Sequence, residues 1–205
     1  IGVRLVGSEM CIRDRFYGDS KLLADCYENI KRYVDYVDRT SPSGLTSWGR
    51  GDWVPVKSHS SKELTSSVYF YVDTKILANA AKLFNKQEDY EHYQALAEKI
   101  RQAINDKYLN RETGIYASGV QTELSVPLMW GIVPKDMKAK VARNLAKKVE
   151  EAGFHLDVGV LGAKAILNAL SENGEAETAY KVAAQDTYPS WGCCCLLYTS
   201  PSPRD

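Results

Sequence analysis

Apolar positions in this chain recur at three- and four-residue intervals along most of its length. Leu22, Leu23, Cys26, Tyr27, Ile30, Tyr33, Val34 and Val37 form one such stripe, the signature of an amphipathic helix. Asp19 stands just before it as a candidate cap, and Pro42 and Gly44 close it. A second stripe opens at Ser61 and runs through Leu64, Val68, Tyr71, Val72, Ile76, Leu77, Ala80 and Phe84. A third covers Gln87 to Tyr108, with Tyr90, Tyr93, Leu96, Ala97, Ile100 and Ile104 inward. The stretch NRETGIYASG is turn-rich and suits a short hairpin. QTELSVPLMWG reads as a shorter helix around Pro127, and Lys135 to Ala152 as a strongly amphipathic one. Val158 to Leu170 and Glu175 to Ala184 make a last pair. The pattern predicts an all-α chain of helical hairpins. The pairs vary too much for a fixed solenoid repeat.

Between the first two helices lies a long connection carrying SWGRGDWVPVKSHSS. Long connections on a helical scaffold are where sites are built.

The two ends have no such period. Back-translated, GSEMCIRDR near the start and CLLYTSPSPRD at the end share the run GGCTCGGAGATGTGTATAAGAGACA on opposite strands. Unrelated protein ends have no reason to be reverse complements. The run resembles a sequencing-library adapter, so residues 1–15 and 193–205 are read as translated adapter and set aside; Cys193 and Cys194 fit either side of that boundary. The alternative is a basic arm and a Ser/Pro-rich tail without fixed structure. Residues 16–192 remain, one domain's length.

Charge is balanced. Of 26 basic residues, removing Arg4, Arg13, Arg15 and Arg204 leaves 22; of 26 acidic ones, removing Glu9, Asp14 and Asp205 leaves 23. That argues against nucleic acid as a partner. No apolar run reaches the roughly 18 residues of a membrane span, so a membrane is not an expected partner either. Within 16–192 the single cysteine is Cys26, which excludes a disulfide framework. The adjacent Cys193, Cys194 and Cys195 lack chelate spacing, and His59 and His92 are isolated, so no metal or cofactor is expected. The 13 tyrosines and 4 tryptophans suit a sugar-binding cleft as well as a core.

The ordered set YGD, YENIKRYVDYV, GRGDW, YFYVDTKILANAAKLFNKQEDYEHYQALAEKIRQAINDKYLNRETGIYASGVQTELSVPLMWGIVP, HLDVGVLGAKAILNAL and TYPSWG resembles the catalytic domain of bacterial α-L-rhamnosidases, glycoside hydrolase family 78. The resemblance spans essentially all of residues 16–192. It implies a partial (α/α)6 toroid of about three to four hairpins and a rhamnose-containing glycan or glycoside as partner. It also implies a periplasmic or extracellular setting. The implied reaction is an inverting hydrolysis, in which one carboxylic acid protonates the leaving oxygen. A second carboxylate, roughly 6.5–9.5 Å away, activates water. Family members carry the acid in an RE…GW segment before YGD and the base in a GATTLWE-like segment after PSWG. This sequence has neither, so the chain by itself is expected to be inactive. Another (α/α)6 glycosidase or a glycan lyase stays open as an alternative, as does a non-catalytic helical-hairpin scaffold binding protein partners.

The resemblance also implies the site residues. Trp53 matches a sugar-stacking tryptophan, whose rigid face covers the C–H side and methyl of a deoxysugar. Asp52, an acceptor when ionised, is positioned to take hydrogen bonds from sugar hydroxyls, and Gly51 lets the loop turn. Read structurally instead, Trp53 packs over a helix end and Asp52 caps the loop. Trp191 in YPSWG is the second candidate, with barrel closure as its structural alternative; for Trp48, solvent-side packing is the preferred reading over a place on the rim. Arg50 to Asp52 also spell the short integrin tripeptide, which is common by chance. Asp157 fits the N-cap of the helix that follows it. Where relatives have Thr, this chain has Val158. Gln121 and Thr122 are read as cavity-facing or as helix-start polarity, and Glu123 as a first-turn acid favoured by the helix dipole. Tyr69, Tyr71, Tyr90 and Tyr93 are expected to pack rather than bind.

Overall fold

The computed structural model describes residues 20–193. The adapter reading of residues 1–15 and 194–205, the YGD motif and the Asp19 cap lie outside the described residues. Seven α-helices and one two-residue hairpin are present among those described: α1 Lys21–Thr40, α2 Lys62–Leu83, α3 Gln87–Tyr108, β1 Leu109–Asn110, β2 Ile115–Tyr116, α4 Gln121–Met129, α5 Lys138–Glu151, α6 Val160–Ser171 and α7 Ala176–Ala183. The predicted all-α class holds, and α3 has the bounds its apolar stripe gave. The chain forms two compact units, one from residues up to 46 with 69–103, the other from residues 47–68 with 104 onward. The helices α2 and α3 contribute residues to both.

In the first unit the α1 stripe supplies Leu23, Tyr27, Val34 and Val37, and α3 supplies Tyr93, Leu96, Ala97 and Ile100, all buried. Two tyrosines solve a polar problem there. Each sinks its ring in the core and keeps its hydroxyl on a carboxylate: Tyr27 Oη donates to Asp89 at 2.7 Å and Tyr93 Oη to Asp35 at 2.6 Å. Lys31 joins Asp89. Burial, and then the Asp35 carboxylate that would repel a phenolate, push the Tyr93 hydroxyl above its ordinary range, so it stays a donor. Helix α2 ends in a Schellman turn. Asn85 takes the left-handed φ of 55°, and Lys86 N–H reaches back to Ala81 C=O at 2.8 Å.

The second unit is centred on α4. Residues Gln121 to Leu128 are all buried, and α4 packs on α5 and α6, which in turn meet α7. The expected hairpin is the β1–β2 pair, in register Leu109 with Tyr116 and Asn110 with Ile115. Asn110 Oδ1 accepts from the Glu112 and Thr113 amides at 2.9 and 3.0 Å, an Asx turn closing the loop. Two helices start later than the apolar pattern suggests. α5 begins at Lys138 because Pro134 to Met137 form a turn, with Met137 N–H on Pro134 C=O. α6 begins at Val160 because Gly159 is extended and the amides before it go to other segments.

Ile166 of α6 is fully buried. Ile166→Ala removes that side chain and leaves a cavity, and should cost about 2–5 kcal/mol. Lys147→Ala on the exposed Lys147–Glu151 pair, 4.0 Å apart, should cost close to nothing. Urea unfolding of both variants checks the contrast.

Candidate functional site

α4 opens with three consecutive polar residues and is buried throughout. A buried polar group needs partners, and each of the three finds them in a different segment. Gln121 Oε1 accepts from Asp157 N–H at 2.9 Å while its Nε2 donates to His155 C=O at 3.1 Å. Thr122 Oγ1 donates to Asp52 Oδ2 at 2.5 Å. Glu123 Oε1 accepts from Ser61 N–H at 2.8 Å. Its Oε2 accepts from Ser118 N–H, Ser118 Oγ and Gly119 N–H at 2.9, 2.7 and 3.1 Å. The QTE run therefore seats the long loop, the segment before α6 and the start of α2. The expected first-turn role of Glu123 is only part of what its carboxylate does.

Asp52 sits 9% exposed with its carboxylate at the start of α6. Besides Thr122, Gly159 N–H donates to Oδ2 at 2.7 Å, and Leu161 and Gly162 N–H donate to Oδ1 at 2.8 and 3.4 Å. A helix leaves its first amides without intrahelical acceptors and favours negative charge there. The local N-cap of α6 is Gly159, which has no side chain to offer. An acid 107 residues earlier in the chain takes that place. Asp157, expected to cap α6, does something else. Its carboxylate takes Lys57 N–H, Ser58 N–H and Ser58 Oγ at 2.9, 3.0 and 2.6 Å. The correction has a simple cause. Residues 155–159 have no regular secondary structure, Gln121 holds the Asp157 amide, and the Asp157 side chain meets the loop at 57–58.

The sequence-derived sugar contacts lie on this frame. Trp53 C=O accepts from Val160 N–H at 2.9 Å, while its indole is 61% exposed. It is not wedged into a core. Asp52 meets an ionised carboxylate's roughly four acceptor positions with four protein donors already in place. The acid of the Arg50–Asp52 tripeptide is thus turned inward, away from an integrin-type partner. Gly51 has φ +76°, as a tight turn beside Asp52 requires. Val54, just after Trp53, has φ +55° and is exposed; a β-branched residue there is strained. Gly159 is where backbone crowding is greatest. A Cβ at that position would stand 2.4 Å from Trp53 O and 2.6 Å from Asp52 Oδ1.

Trp191 is half-buried at the first residue of a helical turn, and Ser190 Oγ accepts from Cys193 N–H at 3.0 Å. The segment before it is tied to the same irregular residues: Leu156 N–H donates to Pro189 C=O at 3.1 Å, and His155 Nε2 meets Thr187 Oγ1 at 2.9 Å. Trp48 and Tyr188 are exposed; Tyr71 and Tyr93 are buried as expected, Tyr69 and Tyr90 partly so. Sequence reasoning missed Gln121 and Thr122 as tethers. Three polar residues heading a largely apolar helix were the available signal.

This arrangement is that of a helical-hairpin domain, and comparison with known proteins gives its family. Residues 13–196 match the bacterial alpha-L-rhamnosidase 6 hairpin glycosidase domain. The chain belongs to that family. It is 29% identical over 177 residues to an alpha-L-rhamnosidase of Streptomyces avermitilis, covering 86% of this chain and 17% of that protein. Against an alpha-L-rhamnosidase of Formosa agariphila it is 26% identical over 182 residues, covering 85% and 20%. The structure of alpha-L-rhamnosidase from Dictyoglumus thermophilum superposes with TM-score 0.82 at 35% identity, covering 88% of this chain and 21% of that one. The Streptomyces avermitilis alpha-L-rhamnosidase complexed with L-rhamnose also superposes with TM-score 0.82, at 27% identity, covering 88% and 17%. The chain thus spans between a sixth and about a fifth of the length of these proteins.

Two predictions follow from the tethers. Gly159→Ala forces its methyl group into the Trp53 carbonyl and should destabilise by about 1–3 kcal/mol, as overpacking does; thermal unfolding reads it. The Asp157 carboxyl is raised by burial, but the Ser58 hydroxyl and the Ser58 and Lys57 amides outweigh that and hold it below the usual carboxylate range. A depressed folded value gives stability that is present above the unfolded pKa, about 3.9, and lost as pH falls through the folded one. The stability difference between the parent and Asp157→Asn should be constant above about pH 5 and shrink below about pH 4, as urea midpoints measure.

Proposed function

We propose that this chain is the sugar-recognising part of an α-L-rhamnosidase-type glycoside hydrolase domain. The observation that carries the reading is Trp53: an indole 61% exposed on a loop whose backbone is fixed, in a chain of this family. A rigid exposed indole covers the apolar face and methyl of a deoxyhexose at small entropic cost. Trp191 offers a second indole from the segment tied to the same stretch before α6. Asp52 serves the sugar through Trp53: its charge is spent on the α6 amides, and that bond fixes the loop. The reaction of the complete enzyme is inverting hydrolysis of a terminal α-L-rhamnoside, with its proton-donating and water-activating carboxylates outside residues 20–193. The buried acids of this chain, Asp52 and Glu123, are committed to backbone amides, which supports that assignment.

The test is direct. L-Rhamnose should perturb the tryptophan fluorescence of this chain, and Trp53→Ala should abolish the response while Trp48→Ala retains it. An aryl α-L-rhamnoside should not be hydrolysed. Release of rhamnose by the chain, or a response to another sugar but not to rhamnose, would overturn the reading.

A further inference from the structure

Residues 155–160, the run into the start of α6, touch both indole-bearing segments and the head of α4. On one side, Asp157 receives the 57–58 amides, and the Val160 amide holds the Trp53 carbonyl. On the other, the Leu156 amide holds the Pro189 carbonyl, two residues before Trp191, and His155 meets Thr187. From below, both polar atoms of the Gln121 amide grip the segment at His155 C=O and Asp157 N–H. Gln121 is 4% exposed, so water is no ready substitute for it.

We infer that this segment is a shared strut and that Gln121 and Asp157 are positioning residues which set Trp53 and Trp191 as one unit. The physical ground is the pattern of donors. The Leu156 amide near its start serves the loop of Trp191, and the Gly159 and Val160 amides at its end serve the loop of Trp53, so a shift of this short segment disturbs bonds to both. The strained Val54 fits this frame. It lies between the tether at Asp52–Trp53 and the tether at Lys57–Ser58, where the connecting residues have no slack to relax φ. The link to sugar binding rests on the function proposed above; the mechanical coupling does not.

Incorporation of 5-fluorotryptophan into the chain gives a 19F signal for each of the four tryptophans, assignable by Trp→Phe replacement. Gln121→Met keeps the volume and removes both amide bonds. The signals of Trp53 and Trp191 should shift together, with Trp130 unmoved. Asp157→Ala, on a partly exposed side chain, is the second variant; it cuts only the bonds to 57–58, yet should move the Trp191 signal as well. Asp157→Asn, which keeps an acceptor, should restore part of both shifts. A variant that lowers the unfolding temperature with neither indole signal moving, or that moves Trp53 alone, overturns the coupling. Joint shifts in the variants without any response of the parent to L-rhamnose support the strut and remove the sugar reading.

Discussion

One contact organises the second unit: the Asp52 carboxylate at the amide end of α6. It joins residues over a hundred positions apart, and it answers two needs together. α6 begins on a glycine and lacks a local acceptor for its first amides. The long loop after α1 has no secondary structure to fix its path. A buried charge alone would be costly, but four donors and the helix field compensate it. Once that bond is made, the next carbonyl lands on Val160 and the next side chain, Trp53, faces solvent. Exposure of a large aromatic follows from the burial of its neighbour.

The head of α4 extends the same logic. Gln121, Thr122 and Glu123 each send a side chain into a different piece of chain, and apart from Ser125 the remainder of the helix is apolar. Polar groups in such a place are high-stakes: unsatisfied they destabilise, satisfied they specify one arrangement. The result is a rigid floor beneath mobile-looking sequence. The loop that reads as Gly-, Ser- and Pro-rich is held by charge-assisted bonds, its Asp52 accepting from amides at the start of α6 and its Lys57 and Ser58 amides donating to Asp157.

Function follows from rigidity in this reading. An indole presented on an ordered loop binds a sugar face without first losing loop entropy. The buried acids Asp52 and Glu123 are absorbed in holding backbone amides. Membership of the rhamnosidase six-hairpin family and the superposition on its solved members fit a division in which this part recognises the sugar.

Helices were legible from the sequence because burial along a helix repeats with its geometry. The stripes of Val34, Tyr93 and Val141 fixed existence and class, and Gln87 to Tyr108 was bounded to the residue. The motifs GRGDW and TYPSWG drew attention to loops that the structure ties to the start of α6 and to the segment before it. What stayed hidden was which acid serves which helix. Asp157 stands at the expected spacing before α6, yet it bonds to the 57–58 backbone, and Asp52 occupies the helix start. Sequence spacing reports only local candidates. The choice between a near acid and a far one depends on how the irregular segment before α6 directs its side chains, and Gln121 holds that segment from a third part of the chain. Periodicity, being local, was written in the chain; the pairing of buried charges with amides, being an agreement among distant segments, came into being only when they met in three dimensions.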